Sequence, residues 1–307
     1  MMKCKTDSPI LLCSQKKKRF PNAIMPAKSE IREMKIRKFD VNSIALGSTA
    51  CFVGKKNSGK SVAVKALMHS KRDIPRGVVF SGTEHVNCFF GEFVPDTFIF
   101  PEYDPRLMEK IFKNQTKRIR KDGGTKSADN AMFLVLDDLL SDAKNWKNDR
   151  QIRELLMNGR HYGLFSAITL QYPLGIPPDL RTNLDYIFIF REPIRANRKR
   201  LYENFAGCIG SFAEFEFILD HCTQDYSCLV INNRTTSNNV EDMVFYWKAP
   251  YDIPKFRMGS VNYWRFHDER HLTKDVDSEE ESDQQKAAKI AARYAGESLT
   301  VVIGSKH

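Results

Sequence analysis

The stretch Gly54-Lys55-Lys56-Asn57-Ser58-Gly59-Lys60-Ser61 decides how this chain reads. It matches G-x-x-x-x-G-K-[ST] in full, and its setting is the one that pattern needs: the apolar residues 50–53 predict a strand before it, and residues 60–69 predict a helix after it. Glycines admit backbone conformations that other residues resist, so successive N–H groups can face phosphate oxygens. The N-terminus of the following helix adds a favourable dipole. Lys60 is then the candidate contact to the β- and γ-phosphates, and Ser61 a candidate ligand of Mg²⁺. The bland alternative, a glycine turn without a ligand, fits the strand–loop–helix context poorly.

Outward from this loop, short apolar runs alternate with longer amphipathic segments, the sequence pattern of an α/β fold with a mainly parallel central sheet flanked by helices. Strands are predicted over residues 77–81, 97–100, 131–136, 164–170, 186–190 and 227–231. Asp104-Pro105 predicts a helix start, with Asp as the cap and Pro at the first position, running to about Lys121 before Gly123-Gly124. Further helices are expected over residues 145–158, ended by Gly159, and near 194–205 and 212–219.

A second polar site closes the most apolar strand, Met132-Phe-Leu-Val-Leu136-Asp137-Asp138. In a phosphate-loop fold the first acid at such a strand end helps to hold Mg²⁺, and the next faces the γ-phosphate, where a carboxylate can activate water. Asp137 is therefore the candidate metal residue and Asp138 the candidate general base. The competing reading is that the pair caps a following helix, where Asp is common. Gln171, at the end of the strand over residues 164–170, is placed to reach the γ-phosphate or its water.

Composition sets outer bounds. The chain has 307 residues, 42% hydrophobic and 28% charged, which suits a globular protein with a sizeable core and not global disorder. No run approaches the ~20 apolar residues of a membrane-spanning helix, and residues 9–13 are too short an apolar run for a secretory signal. Seven scattered cysteines cannot all pair within the chain and fit a reducing compartment. Formal net charge is +10, and residues 1–40 carry eleven basic against four acidic side chains. That excess favours a polyanionic partner without deciding it. Residues 1–34 read as a basic, flexible arm, 35–266 as the phosphate-loop domain, and 267–307 as a polar, acidic tail with a short helix.

No strand is followed by a guanine-reading Asn-Lys-x-Asp motif, so ATP is the expected nucleotide. The blocks Asn158-Gly-Arg-His-Tyr162, Thr169-Leu-Gln-Tyr-Pro-Leu-Gly-Ile-Pro177 and Leu180-Arg-Thr-Asn-Leu-Asp185-Tyr resemble the genome-packaging ATPases of nucleocytoplasmic large DNA viruses, the poxvirus-type branch of the FtsK–HerA superfamily. Phe80-Ser-Gly-Thr-Glu84 and Pro95-Asp-Thr-Phe-Ile99 share the likeness, which covers residues 45–192. The resemblance implies a RecA-like P-loop ATPase fold and a homo-oligomeric ring that hydrolyses ATP with Mg²⁺ and drives double-stranded DNA into a capsid. It implies capsid or terminase-like viral partners, and a place in the host cytoplasm, in viral factories or in the virion. Matched to its motifs, Gly54 to Ser61 bind nucleotide, Asp137 and Asp138 form the acidic motif and Gln171 the third. Many members of the wider superfamily carry Glu where this chain has Asp138. Arg160 stands where related motors supply an arginine finger to a neighbouring subunit; Arg181 and Arg153 are its rivals, and a helix-end cation is the bland reading. A helicase or segregation translocase shares the catalysis, and a regulatory ATP-binding protein is the alternative from another class.

For DNA contact there are two basic clusters: Lys117-Arg118-Ile-Arg120-Lys121, leading into a loop with Lys126, and Arg195 with Arg198-Lys199-Arg200. A solvated helix face explains either equally well; the first is preferred because it abuts a glycine-containing loop. Lys16 to Arg19 read as a non-specific DNA contact or a nuclear-import patch. Cys208, His221, Cys222 and Cys228 do not have zinc-site spacing, and Trp247, Tyr263, Trp264 and Phe266 read as core or interface aromatics.

Overall fold

Both faces of the strand Thr49–Val53 are buried, which is why its sequence is apolar without alternation. The computed structural model describes residues 10–12, 34–139, 149–172 and 175–275. In chain order the strands are β1 (Ile10–Leu12), β2 (Met34–Lys38), β3 (Thr49–Val53), β4 (Gly77–Ser81), β5 (Ile99–Phe100), β6 (Met132–Asp137), β7 (Leu164–Leu170), β8 (Tyr186–Ile189), β9 (Cys228–Asn232) and β10 (Val244–Trp247). They form one sheet in the order β1-β2-β10-β9-β8-β3-β7-β6-β4-β5. The run β8-β3-β7-β6-β4-β5 is parallel throughout. β9 is antiparallel to β8 and β10, and β1 to β2. The expected α/β fold with a mainly parallel sheet is the one observed.

Alternate side chains of each central strand enter opposite core layers. Cys51 and Val53 of β3 join one layer, Ala50 and Phe52 the other. The first layer is completed by the helices α2 (Pro105–Lys121), α3 (Arg150–Asn158), α4 (Arg195–Phe205) and α5 (Phe212–Cys222), the second by α1 (Lys60–Ser70) and α6 (Val261–Asp275). Helix α2 buries Met108, Ile111, Phe112 and Gln115, a single stripe at helical spacing, and starts as expected with Asp104 accepting from the Arg106 N–H at 2.8 Å.

Several local expectations are corrected. Residues 97–100 form a 3₁₀ turn, Asp96–Phe98, followed by only the two residues of β5. Helix α3 ends at Asn158 with Gly159 as its C-cap, as expected, but Gly159 is right-handed at φ −50°: the chain continues as the 3₁₀ turn Gly159–Tyr162, and the left-handed residue is Gly163 at φ +63°. Residues 145–148, Lys16 to Arg19 and the acidic run beyond Asp275 lie outside the described residues. Within the segment read as an arm, Ile10–Leu12 pairs with Met34–Lys38, and α6 runs through the division expected at residue 266. Trp247 and Tyr263 are core aromatics; Tyr263 stacks on Phe98 and donates its hydroxyl to Gly77 O at 2.8 Å. Cys222 and Cys228 are buried, and His221 Nδ1 bonds Phe217 O within its own helix.

Candidate functional site

All six parallel strands point their C-terminal ends to one edge, and the candidate residues of the loop, the acidic pair and Gln171 meet there. The loop leaves β3 with Gly54 N–H bonded to Leu170 O at 3.0 Å, which ties its start to β7. Asn57 and Gly59 adopt left-handed φ values of +60° and +95°; Gly59 is also the N-cap of α1 and makes no side-chain cap, so the first N–H groups of that helix are open to an anion. Ser58 Oγ donates to Lys55 O at 2.8 Å and holds the loop closed on itself. Ser61 is exposed on the first turn of α1.

Lys60 donates to Gly54 O and, at 2.9 Å, to Lys55 O. Burial lowers its pKa from the ordinary lysine value, while the charges of Asp138 and Asp137 act in the opposite sense. The ammonium is thus parked on loop carbonyls and faces the acidic pair.

Asp137 ends β6, with its carboxylate between two hydroxyls. Ser81 Oγ donates to Oδ2 at 3.0 Å and Thr169 Oγ1 to Oδ1 at 2.7 Å. Burial raises its pKa above the ordinary carboxylate value, with the Thr169 and Ser81 hydrogen bonds pulling it down and Asp138 pushing it up. Asp138 adopts φ +50°, a strained conformation for a residue with a Cβ. Its N–H donates to Thr169 Oγ1 at 2.9 Å and its Oδ2 accepts from Gln171 Nε2. Both carboxylates are engaged by side chains of β4, β7 and the residue after β7; the helix that the pair caps on the competing reading lies outside the described residues.

Three residues carry this geometry without having been singled out from the sequence. Ser81 lies opposite Asp137 in the β4–β6 register, and Thr169 is the next residue after Ile168, which pairs Leu136. Both stand in the blocks that resemble the packaging ATPases, but only strand register shows what they touch. Glu192, 5% exposed, accepts from Ile194 N–H at 2.8 Å and sits 3.8 Å from Lys55 Nζ, bracing the loop from the end of β8.

Oxygen donors are what Mg²⁺ requires. Asp137 accepts one hydroxyl hydrogen bond on each oxygen and keeps further lone pairs, and Ser61 supplies a hydroxyl from the adjoining loop, so the set fits that ion.

Arg160 lies elsewhere. It is exposed on the turn before β7, with its Cα 3.7 Å from where a Cβ on Gly47 would stand, and Lys126 Nζ reaches its carbonyl at 3.4 Å. Gly47 precedes β3 and Arg160 precedes β7, so both mark the N-terminal edge of the sheet. The seven residues of β7 separate that edge from Gln171, roughly 20 Å of strand. Arg160 cannot reach the loop of its own chain. It lines a cleft of about 600 Å³ shared with Lys126, Asp185 and Arg234. Of its rivals, Arg181 is committed internally to Ile176 O, Asn204 and the Phe205 ring, and Arg153 pairs with Asp179 at 2.5 Å.

The basic clusters differ in a way the sequence could not reveal. Arg195 pairs with Glu216, Arg198 with Asp220 and Lys199 with Glu203. Lys117, Arg118, Arg120 and Lys121 are exposed and form no ion pair among the described residues. They lead into residues 122–129, also exposed, on the Arg160 edge.

No family profile matches the sequence. Over 239 residues the chain is 38% identical to the uncharacterized protein L437 of Acanthamoeba polyphaga mimivirus, a match that covers 76% of this chain and 84% of that protein. Over 221 residues it is 38% identical to the uncharacterized protein 088R of Invertebrate iridescent virus 3, covering 71% and 82%. Among solved structures it is similar to the DNA-packaging ATPase B204 of Sulfolobus turreted icosahedral virus, at 16% identity and a TM-score of 0.49 over 68% of this chain and 100% of that one.

Proposed function

Since the chain belongs to the family of nucleocytoplasmic large DNA virus proteins that includes mimivirus L437 and iridescent-virus 088R, we propose that it is an ATP-hydrolysing motor that moves double-stranded DNA into a viral capsid. The observation that carries the reading is the convergence of Lys60, Asp137, Asp138 and Gln171 at one edge of the sheet. On this reading Lys60 exchanges the carbonyls of Gly54 and Lys55 for β- and γ-phosphate oxygens. Asp138 accepts the proton of the attacking water, and Gln171, now bonded to it, orients that water. Mg²⁺, held by Asp137 and Ser61, would neutralise developing phosphate charge.

Arg160 faces away from its own site, so its contribution is to a neighbour's γ-phosphate in a homo-oligomeric ring, reached from the opposite edge of the adjoining subunit. The unpaired cations of α2 and the loop after it are on that same edge and would grip DNA phosphates without reading bases. No helix among the described residues is long and apolar enough to cross a membrane. The reading places the chain in viral factories of the host cytoplasm or in the virion, with capsid or terminase-like proteins as partners.

Steady-state ATP turnover of Lys60→Ala tests the nucleotide assignment. Turnover should be lost while the variant stays folded, because the substitution removes the ammonium that sits on the Gly54 and Lys55 carbonyls and feels the charges of the acidic pair. Wild-type turnover in that variant would remove the phosphate-loop reading.

A further inference from the structure

We infer that Tyr226 is the platform on which the nucleobase stacks, an assignment that rests on the phosphate-loop reading above and deepens it. Three features of the connection between α5 and β9 lead there.

The first is strain. Residues 224–227 form a turn closed by Ser227 N–H to Gln224 O at 2.9 Å, and both central residues are left-handed, Asp225 at φ +49° and Tyr226 at φ +63°. This is the type I′ combination, which Gly, Asn and Asp dominate. Asp225 suits it. A tyrosine at the second position is costly, and nothing in the core repays that cost, because Tyr226 is 72% exposed. Its ring and hydroxyl have no partner among the described residues. An outlier of this kind at the rim of a site points to function.

The second feature is contact. A Cβ placed on Gly59 would stand 3.3 Å from Tyr226 Cβ and 3.5 Å from Tyr226 Cδ1. The tyrosine therefore lies directly against the glycine that opens α1. Gly59 is fixed as glycine twice over, by its φ of +95° and by this neighbour.

The third is topology. β3 lies between β7 on one side and β8 on the other. Lys60's acidic counterparts Asp137 and Asp138, and Gln171 bonded to Asp138, all belong to the β6–β7 side. A triphosphate with its terminal phosphate there must carry its nucleoside across the loop toward β8 and β9. The start of β9 is at the C-terminal end of β8, because Leu229 pairs Ile189 and Asn232 pairs Tyr186. Tyr226, two residues before β9, thus stands at the loop edge on the side opposite the acids. An exposed phenol ring held there offers a flat apolar face to a base, and a stacked ring accepts any purine, so Tyr226 contributes affinity for the nucleoside more than a choice between adenine and guanine.

Calorimetric titration of the full chain with Mg-ATP and with Mg-tripolyphosphate tests this, using Tyr226→Asn and Tyr226→Phe. Asn is favoured in a type I′ turn, so that variant should melt at or above the wild-type temperature while binding ATP about tenfold more weakly, the usual effect of losing one base–aromatic stack. Tripolyphosphate, which has no base, should bind both forms alike, and Tyr226→Phe should bind ATP as wild type does. Undiminished ATP affinity in Tyr226→Asn would overturn the assignment, as would an equal loss for tripolyphosphate, which would make the ring a brace for the loop. A wild-type chain that binds neither ligand would instead defeat the phosphate-loop reading, and the assignment with it.

Discussion

Thr169 holds Asp137 and Asp138 with one hydroxyl: Oγ1 donates to Asp137 Oδ1 at 2.7 Å and accepts from the Asp138 N–H at 2.9 Å. At 3% exposure it is buried from bulk solvent. Its hydroxyl therefore sets the separation of the proposed metal residue from the proposed base.

Thr169→Val keeps the shape and removes both bonds. An unsatisfied buried donor costs about 1–3 kcal/mol, so denaturant melts should show a loss of that size. ATP turnover should fall about tenfold or more, from misplacement of the acids. Thr169→Ser, which keeps the hydroxyl, should restore both; a serine variant as impaired as valine would show that packing, not the hydroxyl, is what matters.

Burial raises the Asp137 pKa, so the folded chain favours its protonated form. That contribution is present at acid pH, below the ordinary carboxylate value near 4, and is lost as pH rises through the folded-state value. At neutral pH the ionised carboxylate is a stability cost that Asp137→Asn removes. Melting of the nucleotide-free variant should lie above wild type at pH 7, and the gap should close as pH falls towards 4. Mg-ATP should raise the melting temperature of wild type but not of the variant. A gap that stays constant with pH would contradict the assigned cause.

Much of this arrangement is legible in the sequence, and the exceptions share a cause. The loop and the acidic pair stand out because each is a run of neighbours whose pattern carries the chemistry, and Gln171 because it ends the strand that follows them in order. The roles of Ser81 and Thr169 depend on register between strands far apart in the chain. The strand Met34–Lys38 buries only Ile36 fully, so its residues give little alternation to read. Tyr226 looks like any surface tyrosine until its φ and its contact with Gly59 are known. The two basic clusters are alike in composition and differ only in whether acids such as Glu216 and Asp220 neutralise them.

Arg160→Ala should leave ATP binding intact and lower turnover ~10³-fold or more, the range for arginine fingers. Mixed with Asp138→Asn subunits, which are inactive alone, it should regain activity at interfaces that pair an intact Asp138 with a neighbour's intact Arg160. Titrating one variant into the other at fixed total protein measures this. Absence of rescue in mixed assemblies would remove the arginine from the site.

Replacing Lys117, Arg120 and Lys121 together by Ala should weaken double-stranded DNA binding and flatten its dependence on salt. Each phosphate contact contributes about 0.9 to the slope of log K against log salt, so three lost contacts lower it by about 2.7. Arg195→Ala with Arg198→Ala should leave the slope unchanged, since those cations already face Glu216 and Asp220. The reverse pattern would move the DNA contact to the second cluster.

The account's central claim is that one subunit's catalytic edge is completed by its neighbour's, around DNA. ATP turnover per subunit against protein concentration, with and without double-stranded DNA at fixed salt, tests it most directly. The account predicts a steep rise with concentration and further stimulation by DNA. A turnover that is flat with concentration and indifferent to DNA would contradict it, and would leave an ATPase that works as a single subunit.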